Sequence, residues 1–385
     1  MSPRRIPFPP TISWVIAGVL VGLVVAALGG GRLDPVAHPQ ILRRACELAL
    51  VVAVFGSGLA VERQVSRSSW RLIAILIVAV MPACIALVAV FGATAMGLSL
   101  GAAALLGGVL APTDPVLAGD VGLGRPGDPE LGEPRLSLHT EAGANDGLAS
   151  PFVIVGLLIA SHRGVGWVGH WLAFDLLYRA GVAGLLGVVL GAGCATALGT
   201  ACRRGHLSSA LALGSASLAV AFAIYGLCEL VDGYGLVAVF AAGIAFRRRE
   251  PDDALHAAVH HGTERASDLL EALVLGLVGA SLTTAGLAVP GLAGWLLAPL
   301  LIVIIRPALV FAACLGSPLN ARARAYLGWF GVRGVAAVFY AVGLVSDHAL
   351  SPHATAVVVW TTLACVVISI VVHGLSAPAL MRRWL

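Results

Sequence analysis

The chain has 385 residues, 59% hydrophobic and only 11% charged, whereas soluble domains run at roughly 45–50% apolar and about 25% charged. With a mean hydropathy of +0.94, a soluble globular protein is excluded. The net charge of +4 comes with 24 basic residues, all arginine and spread thinly between apolar blocks. No basic patch interleaved with aromatics appears, so nucleic acid is not an expected partner. The sequence reads as an integral membrane protein.

A bilayer core takes about 20 apolar residues per helix, range roughly 17–25. In chain order the spans fall at about 12–29, 45–61, 72–92, 98–118, 139–161, 176–200, 207–228, 233–246, 268–286, 291–314, 325–345 and 354–378. The first follows Arg4 and Arg5 but lacks a small-residue cleavage site, so it reads as a span and not as a signal peptide. The longest connections, about 119–138 and 247–267, are expected to be loops. The positive-inside rule tests this count. With the N-terminus inside, 17 arginines fall inside, against 5 outside: Arg32, Arg43, Arg44, Arg163 and Arg179. A missing or extra span in the middle would scramble that segregation. The expected fold is an all-α polytopic membrane protein of about twelve transmembrane helices with both termini cytoplasmic.

Ionisable residues at membrane depth are costly, about 2.5–3.5 kcal/mol each at a span centre, and mark function by default. Five stand out: Asp114, Glu141, Asp146, Arg306 and Arg333. The bland alternative is a salt bridge that only locks helices together. Span four reads GAAALLGGVLAPTDPVLAGDV, with Pro112 and Pro115 bracketing Thr113-Asp114. Proline removes a backbone donor and clashes one turn back, so a regular helix does not run through this stretch. Such a break is tolerated only against protein or a wet cavity. Its freed carbonyls can coordinate a cation, and Asp114 can neutralise a helix end. Span eleven has its own interruption, Gly331-Val332-Arg333-Gly334, with a cation where span four carries an anion. Two interrupted helices, one in each half, point to an inverted-repeat transporter with a midplane site.

Span five carries His139-Thr140-Glu141-Ala142-Gly143-Ala144-Asn145-Asp146. On a helix Glu141 and Asn145 share a face, while Asp146 lies about 140° round from Glu141. Glu141 is thus free to meet an arginine from another helix while Asp146 faces a cavity. An aspartate there holds a proton or a cation, but not both, and that competition is a mechanism for exchange.

APTDPVLAGDV followed by EAGANDGLASPFV, with the later stretches IIRPALV and GVRGVAAVFYA, resembles the monovalent cation:proton antiporter-1 family, bacterial NhaP-type Na+/H+ antiporters. The resemblance runs from FGSGLAVE to the end of the chain. It implies a core of six helices, at about 72–161 and 268–378, sliding against a dimerisation domain at about 12–61 and 176–246. By motif match, Asp146 is the shared cation and proton carboxylate and Asn145 its neighbour. Thr113 offers an oxygen to the Na+ at Asp146, Asp114 sits at the helix crossing, and Glu141 pairs with Arg333, with Arg306 as a further compensating charge. The sequence departs from some relatives at Ala142, where they carry serine, and at Ser57, where they carry glutamate. Some relatives also have one more N-terminal helix.

The function implied is a secondary antiporter exchanging Na+, or Li+, for H+ in a bacterial cytoplasmic membrane. It is electroneutral by the neutral Asn145 beside Asp146, dimeric, and without a bound cofactor. Alternatives are a K+/H+ or electrogenic exchanger and, remotely, an intramembrane aspartyl protease that shares a proton between Asp114 and Asp146. No HExxH or Gly-x-Ser-x-Gly sequence suggests another hydrolase. His256, His260 and His261 read as an interfacial helix face or, less simply, a pH-sensing or metal cluster. The seven cysteines form no CxxC pair and read as small apolar filling.

Overall fold

The structure, a computed structural model, describes residues 9–61, 65–114, 132–161, 164–205, 209–250 and 253–384. Pro115, Arg4, Arg5, Arg63, Arg163 and the loop charges Asp120, Arg125, Asp128 and Glu130 lie outside them. All regular structure among the described residues is helical: α1 Pro10–Ala27, α2 Pro39–Ala60, α3 Arg67–Thr94, α4 Leu100–Val109, α5 Gly132–Leu148, α6 Ser150–Ser161 and α7 Val168–Arg203. There follow α8 Ala210–Leu230, α9 Gly235–Arg249, α10 Asp253–Ser281, α11 Gly291–Ala313, α12 Ala321–Trp329, α13 Val335–Asp347 and α14 Pro352–Trp384. Seven stretches among the described residues are helical, long and apolar enough to cross a bilayer, with α4 and α13 shorter apolar helices beside them. The chain is a multi-pass membrane protein.

Two of the long helices widen locally where proline requires it. In α3 a π-helical turn at Leu76–Val80 immediately precedes Met81-Pro82, and in α11 another at Leu300–Ile305 precedes Arg306-Pro307. The proline ring has no N–H and clashes with the carbonyl four residues back, which lies inside the widened turn in both cases.

The expected loop at 247–267 is corrected: α9 runs through Arg249 and α10 starts at Asp253. The reason is visible in the stripe Leu255, Val259, Thr263, Ser267 and Glu271. These residues are all buried and spaced four apart, which is one helix face. Polar residues on the other faces hid that stripe from a hydropathy reading. His260 and His261 lie on this helical extension, each 3.4 Å from Glu264, and the His256 and His260 rings lie tilted to one another with centroids 5.7 Å apart. Of the loop expected at 119–138, residues 119–131 lie outside the described residues, and 132–138 belong to α5.

Packing divides the helices into two groups. α10 packs on α1, α2 and α8, and α9 packs on α2, α7 and α8. Separately, α4 packs on α3 and α6, α11 on α12 and α14, and α13 on α14. The groups meet chiefly where α2 and α9 face α5 and where α2 faces α13, and also where α1 touches α14, α6 touches α7 and α10 touches α13. Apolar area gives no driving force between helices in lipid, so close backbone approach through small residues does the work. α1 and α10 touch backbone to backbone at Gly18 and Gly276, and α2 and α9 do so at Gly58 and Gly243.

Candidate functional site

The end of α4 and the break between α12 and α13 cross at the centre. α4 ends at Val109 and residues 111–114 are non-helical; α12 ends at Trp329 and α13 begins only at Val335. Each break leaves orphan backbone groups, with partial negative charge at a helix C-terminus and partial positive charge at an N-terminus. The two interrupted segments satisfy each other. The backbone N–H of Asp114 donates to the carbonyl of Val332 at 2.8 Å. The Asp114 carboxylate accepts the N–H of Val335, in the first turn of α13, at 3.1 Å. In return, Nη1 of Arg333 donates to the carbonyls of Leu110, Ala111 and Pro112 at the end of α4. An anion thus caps one helix and a cation the other; the sequence reading gave a helix end to Asp114 but not to Arg333.

The expected pairing of Glu141 with Arg333 is corrected. Arg333 is committed to the α4 carbonyls, and Glu141 is held by Arg306 through two parallel bonds of 2.9 and 3.2 Å. The physical reason is reach: Arg306 follows the π turn of α11, and its side chain passes against Gly331, where a Cβ would clash with the guanidinium. This fork-on-fork geometry is the strongest form of a carboxylate–arginine contact.

From Glu141 a chain of hydrogen bonds leads to the break. Nδ2 of Asn145 donates to Glu141 at 3.1 Å and to the Thr113 hydroxyl at 2.8 Å, while the Thr113 N–H donates to Oδ1 of Asn145 at 3.0 Å. Glu141 and Asn145 share one face of α5, as their four-residue spacing required. Thr113 and Asn145 orient each other, so the Thr113 hydroxyl is engaged by Asn145. It is not among the residues lining the cavity described next.

Asp146 points elsewhere, into a narrow cavity lined by Asp114, Val335, Ala49, Leu50, Ala53, Ser267 and Glu271. It is buried, and its Oδ1 has no hydrogen-bond partner among the described residues. Tyr340 of α13 fixes the backbone beneath it by donating to the Asp146 carbonyl, and shares a 2.9 Å bond with Ser150. Ser57, on α2, donates its hydroxyl to the Ala53 carbonyl at 3.0 Å and packs where Gly143 of α5 leaves room. A small residue at 57 therefore allows α2 and α5 to approach.

Several site residues escaped the sequence reading. Glu271 and Ser267 lie in and beside an apolar span, and Glu271 carried the same signal as the five ionisable residues singled out there. Ser369 accepts the Arg333 N–H at 2.9 Å, and the His373 ring sits between the carbonyls of Ser369 and Trp329, both at 2.8 Å. These α14 contacts hold the second break from behind, and nothing in a single sequence pairs them with it. Among the described residues no group of His, Cys, Asp and Glu has metal-site geometry, and all seven cysteines are free thiols.

Comparison with known proteins agrees with this architecture. Over 368 residues the chain is 28% identical to Na(+)/H(+) antiporter 2 of Zygosaccharomyces rouxii, covering 87% of this chain and 45% of that protein. It is 26% identical over 170 residues to the Na(+)/H(+) antiporter of Saccharomyces cerevisiae, covering 43% of this chain and 17% of the relative. The chain thus spans less than half the length of these curated relatives. The structure of the sodium proton antiporter MjNhaP1 from Methanocaldococcus jannaschii superposes with a TM-score of 0.74 at 18% identity, over 94% of this chain and 92% of that one, which shows a shared fold. Residues 1–383 match the family described as sodium/hydrogen exchanger, transmembrane, and the chain belongs to that family.

Proposed function

We propose that the chain is a secondary antiporter exchanging a monovalent cation, Na+ first and Li+ next, for H+ across a membrane. The observation that carries this reading is the state of the charges around the cavity. Glu141 is matched by Arg306 and Arg333 by the α4 carbonyls, while Asp146 presents a buried carboxylate oxygen with no hydrogen-bond partner among the described residues. A buried carboxylate is strongly unfavourable as a bare anion. It is relieved either by a proton or by a cation, and that exclusive choice couples the two fluxes. The Na+ and H+ are substrates, and no resident cofactor enters the reading. Asp114 is committed to the first turn of α13, which argues against a proton-sharing aspartyl pair of the protease kind.

Alternating access follows from the two packing groups. α3–α6 and α11–α14 carry Asp146 and both breaks, and they form the moving core. α1, α2 and α7–α10 form the fixed scaffold, through which two copies associate. α10 lies on α1, α2 and α8, which supports counting it with the scaffold. The same reading places both termini in the cytoplasm of a bacterium and makes exchange electroneutral, with one cation against one proton. Dye-quench exchange in proteoliposomes, run with Na+, Li+ and K+ in turn, tests it. Proton movement with Na+ or Li+ is expected; movement with K+ alone would replace it by a K+/H+ exchanger, and none with any cation would refute it.

A further inference from the structure

The cavity in front of Asp146 has a second polar wall. Ser267 and Glu271 stand one turn apart on α10, on the buried stripe that begins at Leu255, and both line this cavity opposite Asp146 and Asp114. Ser267 is 5% exposed and Glu271 6% exposed. The Ser267 hydroxyl, like Oδ1 of Asp146, has no hydrogen-bond partner among the described residues. The stretch after Glu271, Ala-Leu-Val-Leu-Gly-Leu-Val-Gly-Ala, is apolar, so this carboxylate interrupts a surface that otherwise suits lipid and packing. Carboxylates at such depth pair with another group or line an ion path.

We infer that Glu271 and Ser267 complete the cation site from the scaffold side. The transported cation is held between the Asp146 carboxylate, on the moving α5, and the Glu271 carboxylate, on α10, with the Ser267 hydroxyl as a neutral ligand. Small hard cations favour such a set of oxygens, and site charge and rigidity tune their affinity. Because the two carboxylates belong to different packing groups, the core's displacement changes their separation. Glu271 therefore strengthens binding when Asp146 faces it and leaves the cation to Asp146 alone when the core moves away. This deepens the antiport reading and rests on it.

The test uses the full-length protein, purified and in proteoliposomes. Na+ binding is measured by calorimetry against choline chloride, and the KM for Na+ by dye quench, for wild type, Glu271→Gln and Ser267→Ala. Both substitutions keep side-chain size or reduce it slightly. Glu271→Gln is expected to weaken Na+ binding and raise the KM about tenfold or more, and Ser267→Ala to do so about threefold, the signature of lost ground-state binding. Folded variants with wild-type Na+ affinity and KM would overturn the inference, even if melting shifts, because a structural role alone moves melting only. Should Glu271→Gln not fold, Ser267→Ala decides. Wild type that exchanges Na+ beside a Glu271→Gln variant of unchanged affinity sinks this inference alone; wild type inactive with every cation sinks the antiport reading and this one with it.

Discussion

Arg333 and Asp114 cap each other's helices. Nη1 of Arg333 reaches three carbonyls at the end of α4, and Asp114, just beyond that end, accepts the Val335 N–H at the start of α13. Two opposite charges are thereby placed against two opposite helix ends without bonding to one another directly. The arrangement predicts that Asp114→Ala destabilises the protein by about 0.5–2 kcal/mol, the cost of a lost N-cap acceptor. Asp114→Asn keeps an acceptor oxygen and loses less. Melting of the purified variants in detergent checks this, and equal losses for the two would show that the carboxylate does not act as a cap.

The corrected ion pair gives a second prediction. Removing Glu141 or Arg306 alone leaves an uncompensated buried charge, a loss of about 3–5 kcal/mol by soluble precedent. The double variant should lose far less than the sum of the two, because partners couple strongly. Glu141 and Arg333 share no hydrogen bond in the structure, so their cycle should couple more weakly than that of Glu141 and Arg306. A larger coupling for the Arg333 cycle would restore the pairing implied by family resemblance.

That correction marks where the sequence stops being legible. The two breaks were readable because Pro112 and the glycines flanking Arg333 disrupt helices for local reasons. The separate orientations of Glu141 and Asp146 were readable because helical geometry fixes 140° between them. Which arginine meets Glu141 was not, since it depends on the crossing of α5 and α11 and on the π turn before Arg306. Glu271 was legible in principle, as an acid at the edge of an apolar span. The helical start of α10 was not, because its buried stripe of Leu255, Val259 and Thr263 is interleaved with His and Arg residues that lower the average hydropathy.

Gly334 supplies a third prediction. A Cβ there would collide with the Asp114 carboxylate, so the crossing needs glycine for close approach and not only for turning. Gly334→Ala should push Asp114 off the α13 N-terminus, lowering the melting temperature and exchange activity together. Wild-type behaviour in both measurements would mean that the crossing has slack the structure does not show.

Asp146→Asn tests the carrier itself. The substitution keeps the side-chain shape and removes the one carboxylate of the Asn145-Asp146 pair, deleting both the cation's counter-charge and the proton's seat. Exchange should fall to background while expression, membrane insertion and melting stay close to wild type. Wild-type-like transport by the folded variant would refute Asp146 as the site of competition.

The last prediction is stoichiometric. Asn145 is neutral and bonded to both Glu141 and Thr113, so it carries no charge through the cycle. Asp114 stays bonded to the first turn of α13, and Glu141 stays on Arg306. Glu271 sits on α10, which packs on α1, α2 and α8, and under the proposed division it does not travel with the core. Asp146 is then the only group that changes its load as the core moves, and it carries one cation in one direction or one proton in the other. Both loaded forms have the same net charge, so a membrane potential does no work on the exchange, although a full elementary charge crossing it would feel about 2.3 kcal/mol per 100 mV. Exchange driven by a pH gradient in proteoliposomes should therefore keep its rate and end point when valinomycin and K+ impose a potential of either sign. A shift of the end point with imposed potential would show that a second charge moves in each cycle, and Asp114 would be the first group to substitute in search of it.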